Sequence, residues 1–573
     1  MFDLHLKYES EEYMEPYQIA LIVIGIILAL IVIGLISSYN AKKELKYKLM
    51  SKFGHPDDTK YEYDEFESIS HYFKNTIGDD YCIDDITWND LGMDEIFMLI
   101  NSTCSSVGRE TLYKILRTPV KDNDILSERE RLIRYFDENE TERTKIMMIL
   151  KSIGYTRKIS VSDYMDRLLK LKAKSNILHY ILNLFLIASL ALMIIYDPIV
   201  GLFLLLISSG LSIVTYYSEK AKIESFFSCI RVLVAMINAG KHIADINIDE
   251  LSTYNEYFRT TSGRFAKVTR NSFLLVSGKD SNGSLAEIIM EYIRMFTHVD
   301  LIKFNSMLKH IDSNSEEINK LYDRIGLLDS MISVASFRRF IPYYCNPVFI
   351  NNSQMDLKEV YHLLIKEPVA NNITEHKPVL ITGSNASGKS TFLKSVAINA
   401  ILAQSINTCP AKEYSAPFYR IFSSMALTDS IESGESYYIV EIKSLKRIID
   451  ATSKEKTPIL CFVDEVLRGT NTVERIAASS QILKEISLNG IMCFAATHDI
   501  ELTYILENYY SNYHFTEDVK DNEIVFSYAL QNGRATSRNA IKLLEIIGYD
   551  KSIVDKAGER ALDFVNTGVW RQI

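Results

Sequence analysis

The feature that most restricts the fold of this chain is a long run of apolar residues near its start. Residues 19–36, IALIVIGIILALIVIGLI, contain no charged side chain. As a helix they would extend about 27 Å, close to the thickness of a bilayer core. Acidic residues precede the run and lysines 42, 43, 46 and 48 follow it. A signal peptide would begin with basic residues, so a retained anchor is predicted, with a signal peptide or a core helix as the alternatives.

Two further apolar runs lie in the middle of the chain. Residues 177–196 and 199–217 are separated by Asp197-Pro198, a turn signal, and lysines flank the pair at 170, 172, 174, 220 and 222. Basic residues at both ends predict a transmembrane hairpin that starts and ends in the cytoplasm. A buried hairpin in a large core is the alternative, which His179 and Asn183 favour. The expected location is the cell membrane, multi-pass, with the N-terminus outside and the other domains cytoplasmic.

The overall composition excludes some classes of protein. The 573 residues include 63 basic and 73 acidic side chains, a net charge of −10, which argues against broad, charge-driven nucleic-acid binding. The length suggests several domains. The seven cysteines form no CxxC pair and no Cys/His cluster. Their pattern indicates a reduced compartment, no structural zinc and buried, inert thiols.

The hydrophobic pattern changes from helical to α/β along the chain. Residues 50–80 are charged and rich in tyrosine without a clear period, which suggests a juxtamembrane linker. Helical periodicity then covers most of the chain up to residue 340. Short, continuous apolar runs typical of buried parallel strands follow at 378–382, 458–463 and 491–496.

A glycine-rich loop lies between the first of these strands and a helical pattern. GSNASGKS at 383–390 fits G-x-x-x-x-G-K-[ST] in the strand–loop–helix context that this motif needs. Backbone N–H groups of such a loop point at phosphate oxygens. Lys389 would place a charge at the β- and γ-phosphates, and Ser390 would offer its hydroxyl to Mg²⁺; a chance match is the alternative. The candidate ATP ligands are Gly383, Ser384, Asn385, Ala386, Ser387, Gly388, Lys389, Ser390 and Thr391.

Polar residues also follow the other two strands. Asp464 is placed to hold Mg²⁺ together with Ser390, and Glu465 could orient or deprotonate an attacking water. His498 ends the third strand, where ligands of parallel α/β sheets bind, and could contact the γ-phosphate. We therefore expect Lys389, Glu465 and His498 to be catalytic. There are two alternatives. The two acids could cap the following helix, and His498 could be an ordinary polar residue without a role at the site.

Four motifs together resemble the ATPase domain of the MutS mismatch-repair family. They are TGSNASGKSTF at 382–392, SIESGESYYIVE at 430–441, DEVLRGTNT at 464–472 and ATH at 496–498. The tail GRATSRNAI at 533–541 is similar to the start of the family's C-terminal dimerising helices. Weaker similarity to the helical core covers about 80–120 and 220–340, and the apolar runs lie outside it.

The resemblance implies a multidomain fold with a mostly α-helical N-terminal core, here carrying transmembrane helices, and a C-terminal α/β P-loop ATPase domain of the ABC type. It implies a homodimer in which each ATP and Mg²⁺ site is closed by Ser433 and Gly434 of the other subunit. An ordinary serine helix cap is the alternative for this turn. The sequence departs from the family pattern at Ser430, Glu435 and Leu467, where the family has an acid, an arginine and a glycine.

The predicted domains follow from these patterns. They are an anchor at 1–50, a linker and first part of the helical core at 51–176, the transmembrane hairpin at 177–217, the second part of the core at 218–345, the ATPase domain at 346–535 and dimerising helices at 536–573. From the resemblance, the residues ahead of the core are expected to be too few for the family's mismatch reader, and the core is expected to be too short for a full DNA clamp.

Two functions remain open on the sequence alone. The first is a membrane-anchored MutS-like ATPase that couples ATP hydrolysis to DNA binding. A local basic stretch, Arg259, Arg264, Lys267 and Arg270, could contact phosphates, although a solvated helix face would look the same. The second is an ATP-driven machine that acts on a membrane or a partner protein without binding DNA.

Overall fold

The order of elements is helical first and α/β last. The computed structural model of the protein describes residues 16–56, 61–78, 81–156, 159–272, 275, 285–384, 386–425, 437–453, 457–468, 470–520, 523–535, 540–570 and 572. Within these residues no strand precedes Val348. This confirms the sequence-based division into a helical N-terminal region and an α/β C-terminal region.

Fifteen α-helices occupy the described part of the N-terminal region. They are α1 (Pro16–Lys52), α2 (Tyr63–Thr76), α3 (Asp85–Asp90), α4 (Met93–Ile100), α5 (Ser106–Arg117), α6 (Asn123–Glu138), α7 (Glu140–Lys151), α8 (Val161–Lys170), α9 (Ile177–Ile195), α10 (Pro198–Ile246), α11 (Ser252–Arg264), α12 (Ala266–Thr269), α13 (Leu285–Thr297), α14 (Val299–Asp312) and α15 (Ser315–Phe340).

Strands and helices alternate in the C-terminal region. In chain order they are β1 (Val348–Phe349), β2 (Met355–Val360), β3 (Asn371–Glu375), β4 (Val379–Thr382), α16 (Lys389–Ile406), β5 (Glu413–Ala416), β6 (Arg420–Ser424), α17 (Tyr437–Asp450), β7 (Ile459–Asp464), α18 (Thr472–Leu488), β8 (Met492–Thr497), α19 (Ile500–Ile505), β9 (Ser511–Lys520), β10 (Glu523–Asn532), α20 (Ala540–Ile547) and α21 (Lys551–Thr567).

Two of the described helices are long and apolar enough to cross a membrane by length and composition. These are α9 and α10, and only 17% and 22% of their most apolar segments are buried within the protein. The membrane insertion of this helix pair stays a prediction. The predicted run 19–36 lies within α1, and its role as an anchor stays a prediction.

The expected linker at 50–80 is wrong in part, because residues 63–76 form helix α2. Its Ile69, Tyr72 and Phe73 are buried and pack into the main hydrophobic core. Apolar and aromatic side chains recur there at helical spacing, but the charged residues between them concealed the period. Tertiary packing against α5 and α8 supplies the burial that stabilises a helix of this length.

The second half of the apolar hairpin continues without a break into the helical core. Helix α10 has 49 residues. It begins where the Asp197 carboxylate accepts hydrogen bonds from the N–H groups of Ile199 and Val200, with Pro198 in the first turn. It ends at Asn247, whose φ of 56° is typical of a helix C-terminus. One continuous helix therefore connects the apolar hairpin to the core.

A buried carboxylate links α5, α8 and α15. Glu110 on α5 accepts hydrogen bonds from the hydroxyls of Ser160 and Tyr322 at 2.9 and 2.8 Å and from the N–H of Val161 at 2.9 Å. It thereby satisfies donors at the start of α8 that would otherwise lack partners. Burial raises the pKa of Glu110 to about 7, although these hydrogen bonds lower it.

The described strands form two sheets. The larger has the order β10-β9-β4-β8-β7-β6, in which β10 alone is antiparallel to its neighbour. The smaller has the order β1-β5-β2-β3. In the larger sheet β4, β8 and β7 are adjacent and parallel, so their carboxyl ends meet at one edge.

Helix α16 joins the α/β region to the helical core. Its residues from Val396 to Ile406 are buried, and it contacts both the larger sheet and helices α5 and α6. Gln404 accepts a backbone hydrogen bond from Val120, and the Arg129 guanidinium donates to the carbonyl of Ser405. The helix that follows the phosphate loop is thus fixed to the helical core along one side.

Candidate nucleotide site

The site lies at the carboxyl edge of three neighbouring strands. Strand β4 leads into the glycine-rich loop, β7 ends at Asp464, and His498 follows β8. In the register of the sheet, Thr382 of β4 lies opposite Thr497 of β8, and Asp464 of β7 lies opposite Ala496 of β8. The three strands therefore end at the same level. The structure therefore brings Lys389, Ser390, Asp464, Glu465 and His498 to one place, as the sequence predicts.

The glycine-rich loop adopts a backbone conformation that its residue types permit. Gly383 and Gly388 have φ angles of 150° and 107°, and Ala386 lies in the left-handed region at 64°. A Cβ at Gly388 would also lie 3.2 Å from a ring carbon of Tyr528. Gly388 is thus required by both its backbone angle and the close approach of strand β10.

Lys389 lies at the centre of the loop and is 5% exposed. Its ammonium donates to the carbonyls of Gly383 and Ser384 at 2.8 and 2.7 Å and lies 3.5 Å from Nε2 of His498. Burial lowers the pKa of Lys389 to about 8, although the nearby Asp464 and Glu465 carboxylates raise it. A buried ammonium in such a loop is suited to bind phosphate oxygens.

The predicted metal ligands are in contact. The Ser390 hydroxyl donates to Oδ2 of Asp464, and Oδ1 of Asp464 is buried without a hydrogen-bond partner among the described residues. A hydroxyl and a carboxylate are hard oxygen donors, which Mg²⁺ prefers, and this ion commonly takes only one or two protein ligands beside phosphates and water. The donor set therefore fits Mg²⁺.

Glu465 is held by two basic side chains. Its Oε1 lies 2.9 Å from Nε2 of His498, and its Oε2 is paired with the Arg468 guanidinium. The Glu465 backbone N–H donates to the carbonyl of Ala496 at 2.9 Å, which fixes it to β8. This geometry suits a carboxylate that orients or deprotonates a water next to the phosphate position.

The turn after Glu465 is stabilised by a residue that sequence reasoning did not single out. The buried Glu441 carboxylate on α17 accepts hydrogen bonds from the N–H groups of Leu467 and Arg468, the second at 3.2 Å. Leu467 has a φ of 58° and is 1% exposed. Leucine here keeps the backbone angle that a glycine would favour, and its side chain fills the local core.

A cavity of about 470 Å³ opens beside the loop. Ser384, Lys389, Ser390 and Thr391 line its polar end. Its other end is lined by residues that sequence reasoning missed, namely His362, Ile365, Pro368, Val369, Asn371 and Tyr528. They come from segments far apart in sequence, and no local motif marks them. A largely apolar end beside a phosphate loop is suited to a flat ring system.

Three of the predicted site residues lie outside the described residues. These are Asn385, Ser433 and Gly434. The role of Ser433 and Gly434 at the site of a second subunit therefore stays a prediction. The helix that follows them, α17, begins at Tyr437 and carries Glu441, which links it to the turn after Glu465 in its own subunit.

The basic stretch is partly engaged within the protein. The Arg259 guanidinium donates to the carbonyl of Ala244 at 3.1 Å, and Arg264 lies 3.6 Å from the carboxylate of Glu317. The Arg264 pair is partly exposed, and such pairs are weak, so both arginines could still turn to a phosphate.

Comparison with known proteins places this site in a defined family. The family model described as MutS domain V matches residues 379–564. Similar curated proteins include the DNA mismatch repair protein MutS of Thermotoga sp. (strain RQ2), 28% identical over 266 residues that cover 45% of this chain and 33% of that protein. That of Streptococcus sanguinis (strain SK36) is 26% identical over 342 residues, covering 56% and 40%.

A human protein is similar to a comparable share of this chain. MutS protein homolog 4 of Homo sapiens is 30% identical over 355 residues, which cover 55% of this chain and 36% of the relative. The chain therefore spans between about a third and two fifths of the lengths of these relatives. The matched part includes the glycine-rich loop, Asp464, Glu465 and His498, so this region of the chain carries domain V of the MutS family.

Proposed function

We propose that the protein is a membrane-anchored, MutS-type P-loop ATPase that binds and hydrolyses ATP at composite sites of a homodimer and couples this cycle to DNA binding. One observation carries the ATPase: the buried Lys389, the Ser390–Asp464 pair and the Glu465–His498 pair converge at the end of three adjacent strands. The ATPase domain lies on the cytoplasmic side of the membrane in this proposal.

The residues present fit ATP with Mg²⁺. Backbone N–H groups of the loop and the ammonium of Lys389 would bind the phosphates, and Ser390 and Asp464 would hold the metal ion. Bound Mg²⁺ supplies charge stabilisation to a phosphoryl group under attack. The base would lie against Val369 and Tyr528 at the apolar end of the cavity.

Hydrolysis needs a positioned water, and Glu465 is the candidate to hold it. The carboxylate would accept a proton from this water while the His498 and Arg468 contacts keep Glu465 in place.

Replacing Lys389 with alanine tests the site. Removal of the buried ammonium should lower ATP turnover by about a hundredfold or more, since a group that stabilises phosphate charge in a dry site contributes several kcal/mol. Lys377→Ala is the matched control, because Lys377 is exposed on the turn before β4. Equal turnover by the Lys389→Ala variant and the control would refute the assignment.

The DNA binding in this proposal has its own test. Duplex, mismatched and branched DNA would be titrated onto the protein in detergent at several salt concentrations. Phosphate contacts by the basic stretch should produce affinity that falls steeply with salt. Arg259→Ala together with Arg264→Ala should reduce that slope, and the absence of salt-dependent binding would remove DNA from the function.

A second function is favoured by one observation, the continuity of α10 from the apolar hairpin into the helical core. A rigid helix could transmit movement between the ATPase and a membrane or partner protein without any DNA. The two functions differ in what stimulates turnover. Turnover raised by DNA in detergent supports the first, whereas turnover raised only by reconstitution into lipid vesicles, with no response to DNA, supports the second.

A further inference from the structure

Helices α13 and α14 pack against the hairpin formed by α9 and α10. Helices α13 and α14 meet at a sharp corner at His298, whose φ of 55° lies in the left-handed region. The corner packs against the flank of the hairpin. Its position along the hairpin can be read from its hydrogen bonds.

The corner lies well inside the predicted apolar layer. Asn183 donates to the carbonyl of Thr297 at 2.7 Å, and His298 lies 3.0 Å from the carbonyl of Ser212. Asn183 is six residues into α9, which corresponds to about 9 Å from the start of that helix. Ser212 is five residues before the end of the second apolar run, about 7.5 Å from its edge.

Other contacts define where α13 and α14 leave the layer. Lys220, just beyond the apolar run, pairs with Glu291 on α13 at 2.7 Å. Asn176, just before α9, donates to the carbonyl of Ile302 on α14 at 3.1 Å. Helix α13 therefore descends from the edge of the layer to the corner, and α14 returns to the edge. This is the path of a re-entrant element.

The hairpin supplies hydrogen-bond partners to His298 and Asp300, two buried polar side chains of the corner. His298 and Asp300 are 0% and 2% exposed. The Tyr216 hydroxyl donates to Asp300 at 3.0 Å, and the ring nitrogens of His179 and His298 lie 2.9 Å apart. Irregular backbone at membrane depth is tolerated where it is buried in protein. His179 and Asn183, unexpected in an apolar run, are thus explained as partners of the corner.

The opposite face of α13 is apolar and uncovered. Ile288, Ile289, Tyr292 and Ile293 are between 44% and 57% exposed. Their spacing puts them on one side of the helix. Helix α13 contacts both α9 and α10, whose apolar segments are themselves largely exposed. Tyrosine beside isoleucine is typical of the interface between headgroups and acyl chains.

We propose that the α13–α14 corner is a re-entrant membrane element, and that Ile288, Ile289, Tyr292 and Ile293 contact lipid in the outer part of the cytoplasmic leaflet. The inference rests on the proposed membrane insertion of the hairpin. It gives the core a second contact with lipid besides α10, and this contact leads through α14 directly to α15.

Fluorescence quenching of single labels in lipid vesicles tests the inference. A cysteine-reactive fluorophore would be attached to Ile289→Cys, to Ile187→Cys in the middle of α9 and to Ile125→Cys on α6, with the signal of the unaltered chain subtracted. All three native side chains are exposed apolar residues. The quenchers would be lipids with a nitroxide near the headgroup, lipids with a nitroxide deep in the acyl chain, and aqueous iodide.

The expected result is that shallow nitroxides quench the label at 289 several-fold more than the label at 125, while deep nitroxides quench the label at 187 most. Quenching at 187 without quenching at 289 would overturn the inference and leave the hairpin in the membrane. A label at 289 shielded from both lipid and iodide would indicate a protein partner instead, which also overturns it. No lipid quenching at 187 would contradict the membrane proposal itself.

Discussion

Three non-glycine residues in the loops of the nucleotide site have left-handed backbone angles. Ala386, Glu465 and Leu467 are non-glycine residues with φ angles between 58° and 64°. Such angles cost on the order of 1 kcal/mol each and persist where the surroundings enforce them. Around Leu467 the enforcing groups are the Glu441 carboxylate and the local core. The strain fixes the direction in which Glu465 presents its carboxylate.

Two substitutions at Leu467 separate strain from packing. Leu467→Ala and Leu467→Gly both remove a buried side chain, at a cost of about 2–4 kcal/mol. Glycine also relieves the left-handed φ, so the glycine variant should unfold with a free energy about 1 kcal/mol higher than the alanine variant. Thermal unfolding of the purified variants measures this difference.

Leu393 provides the control for this comparison, because it is buried in the interior of helix α16. There the order should reverse, since glycine destabilises a helix by about 1 kcal/mol relative to alanine. If Leu467→Ala were as stable as Leu467→Gly, the angle at 467 would carry no strain.

At the scale of elements, buried carboxylates hold the helical core together. Glu110 connects α5 with the start of α8 and with α15, and Asp329 on α15 accepts hydrogen bonds from the N–H groups of Cys104 and Ser105 at 2.8 and 3.0 Å. Burial raises the pKa of Asp329 to about 6. Each of these carboxyl groups is therefore protonated more readily in the folded core than in the unfolded chain.

This gives the stability of the core a defined dependence on pH. The pKa of Glu110 rises from 4.5 to about 7 on folding, so the folded state binds a proton more tightly. The free energy of unfolding should therefore decrease as pH rises from about 4.5 to 7, by up to about 3 kcal/mol from this group.

Glu110→Gln isolates the contribution of this side chain. The amide resembles the neutral acid, because its oxygen can accept from Val161 while its NH₂ donates to the hydroxyls of Ser160 and Tyr322. Unfolding temperatures of this variant should fall less between pH 5 and pH 7 than those of the unaltered protein. Identical pH dependence in the two proteins would show that Glu110 stays ionised throughout.

At the scale of the whole molecule, the α/β region and the helical core share one hydrophobic core. Helix α16 packs on the sheet on one side and on α5 and α6 on the other, and Tyr81 donates to the carbonyl of Ile421 at 2.9 Å. A displacement of the phosphate loop would therefore move the helical core. The proposed composite sites would add a second path for transmitting this movement, because they would link two copies of the protein.

Mixing two inactive variants tests the composite sites. Lys389→Ala removes the phosphate-binding side of a site, and Ser433→Ala removes the residue expected to act on the partner's nucleotide. In a dimer of one chain of each kind, one site retains both residues. Mixing after subunit exchange should restore about a quarter of normal turnover, because about half of the dimers are mixed and each has one intact site.

The controls for mixing are each variant alone and the co-purification of an affinity-tagged Lys389→Ala chain with an untagged Ser433→Ala chain, which shows whether subunits have exchanged. If the mixture of Lys389→Ala with Ser433→Ala turned over no more ATP than the sum of the two variants alone, a site shared between subunits would be contradicted.

Sequence alone predicted the elements whose signal is local. The glycine-rich loop, the strands ending at Thr382, Asp464 and Thr497, and the break at Asp197-Pro198 all follow from residue type and short-range spacing. Continuous apolar runs mark buried strands regardless of their neighbours. The convergence of Lys389, Asp464 and His498 followed because carboxyl ends of parallel strands share one edge.

Tertiary structure decided what depends on contacts between distant segments. Three contacts join residues that share no sequence pattern. They are the contacts of Glu441 with Leu467, of Tyr528 with Gly388, and of Asn183 with the α13–α14 corner. Helix α2 was missed for a related reason, since its stability comes from burial against α5 and α8. Local spacing fixes which elements form, whereas burial and hydrogen bonds between elements fix what those elements hold in place.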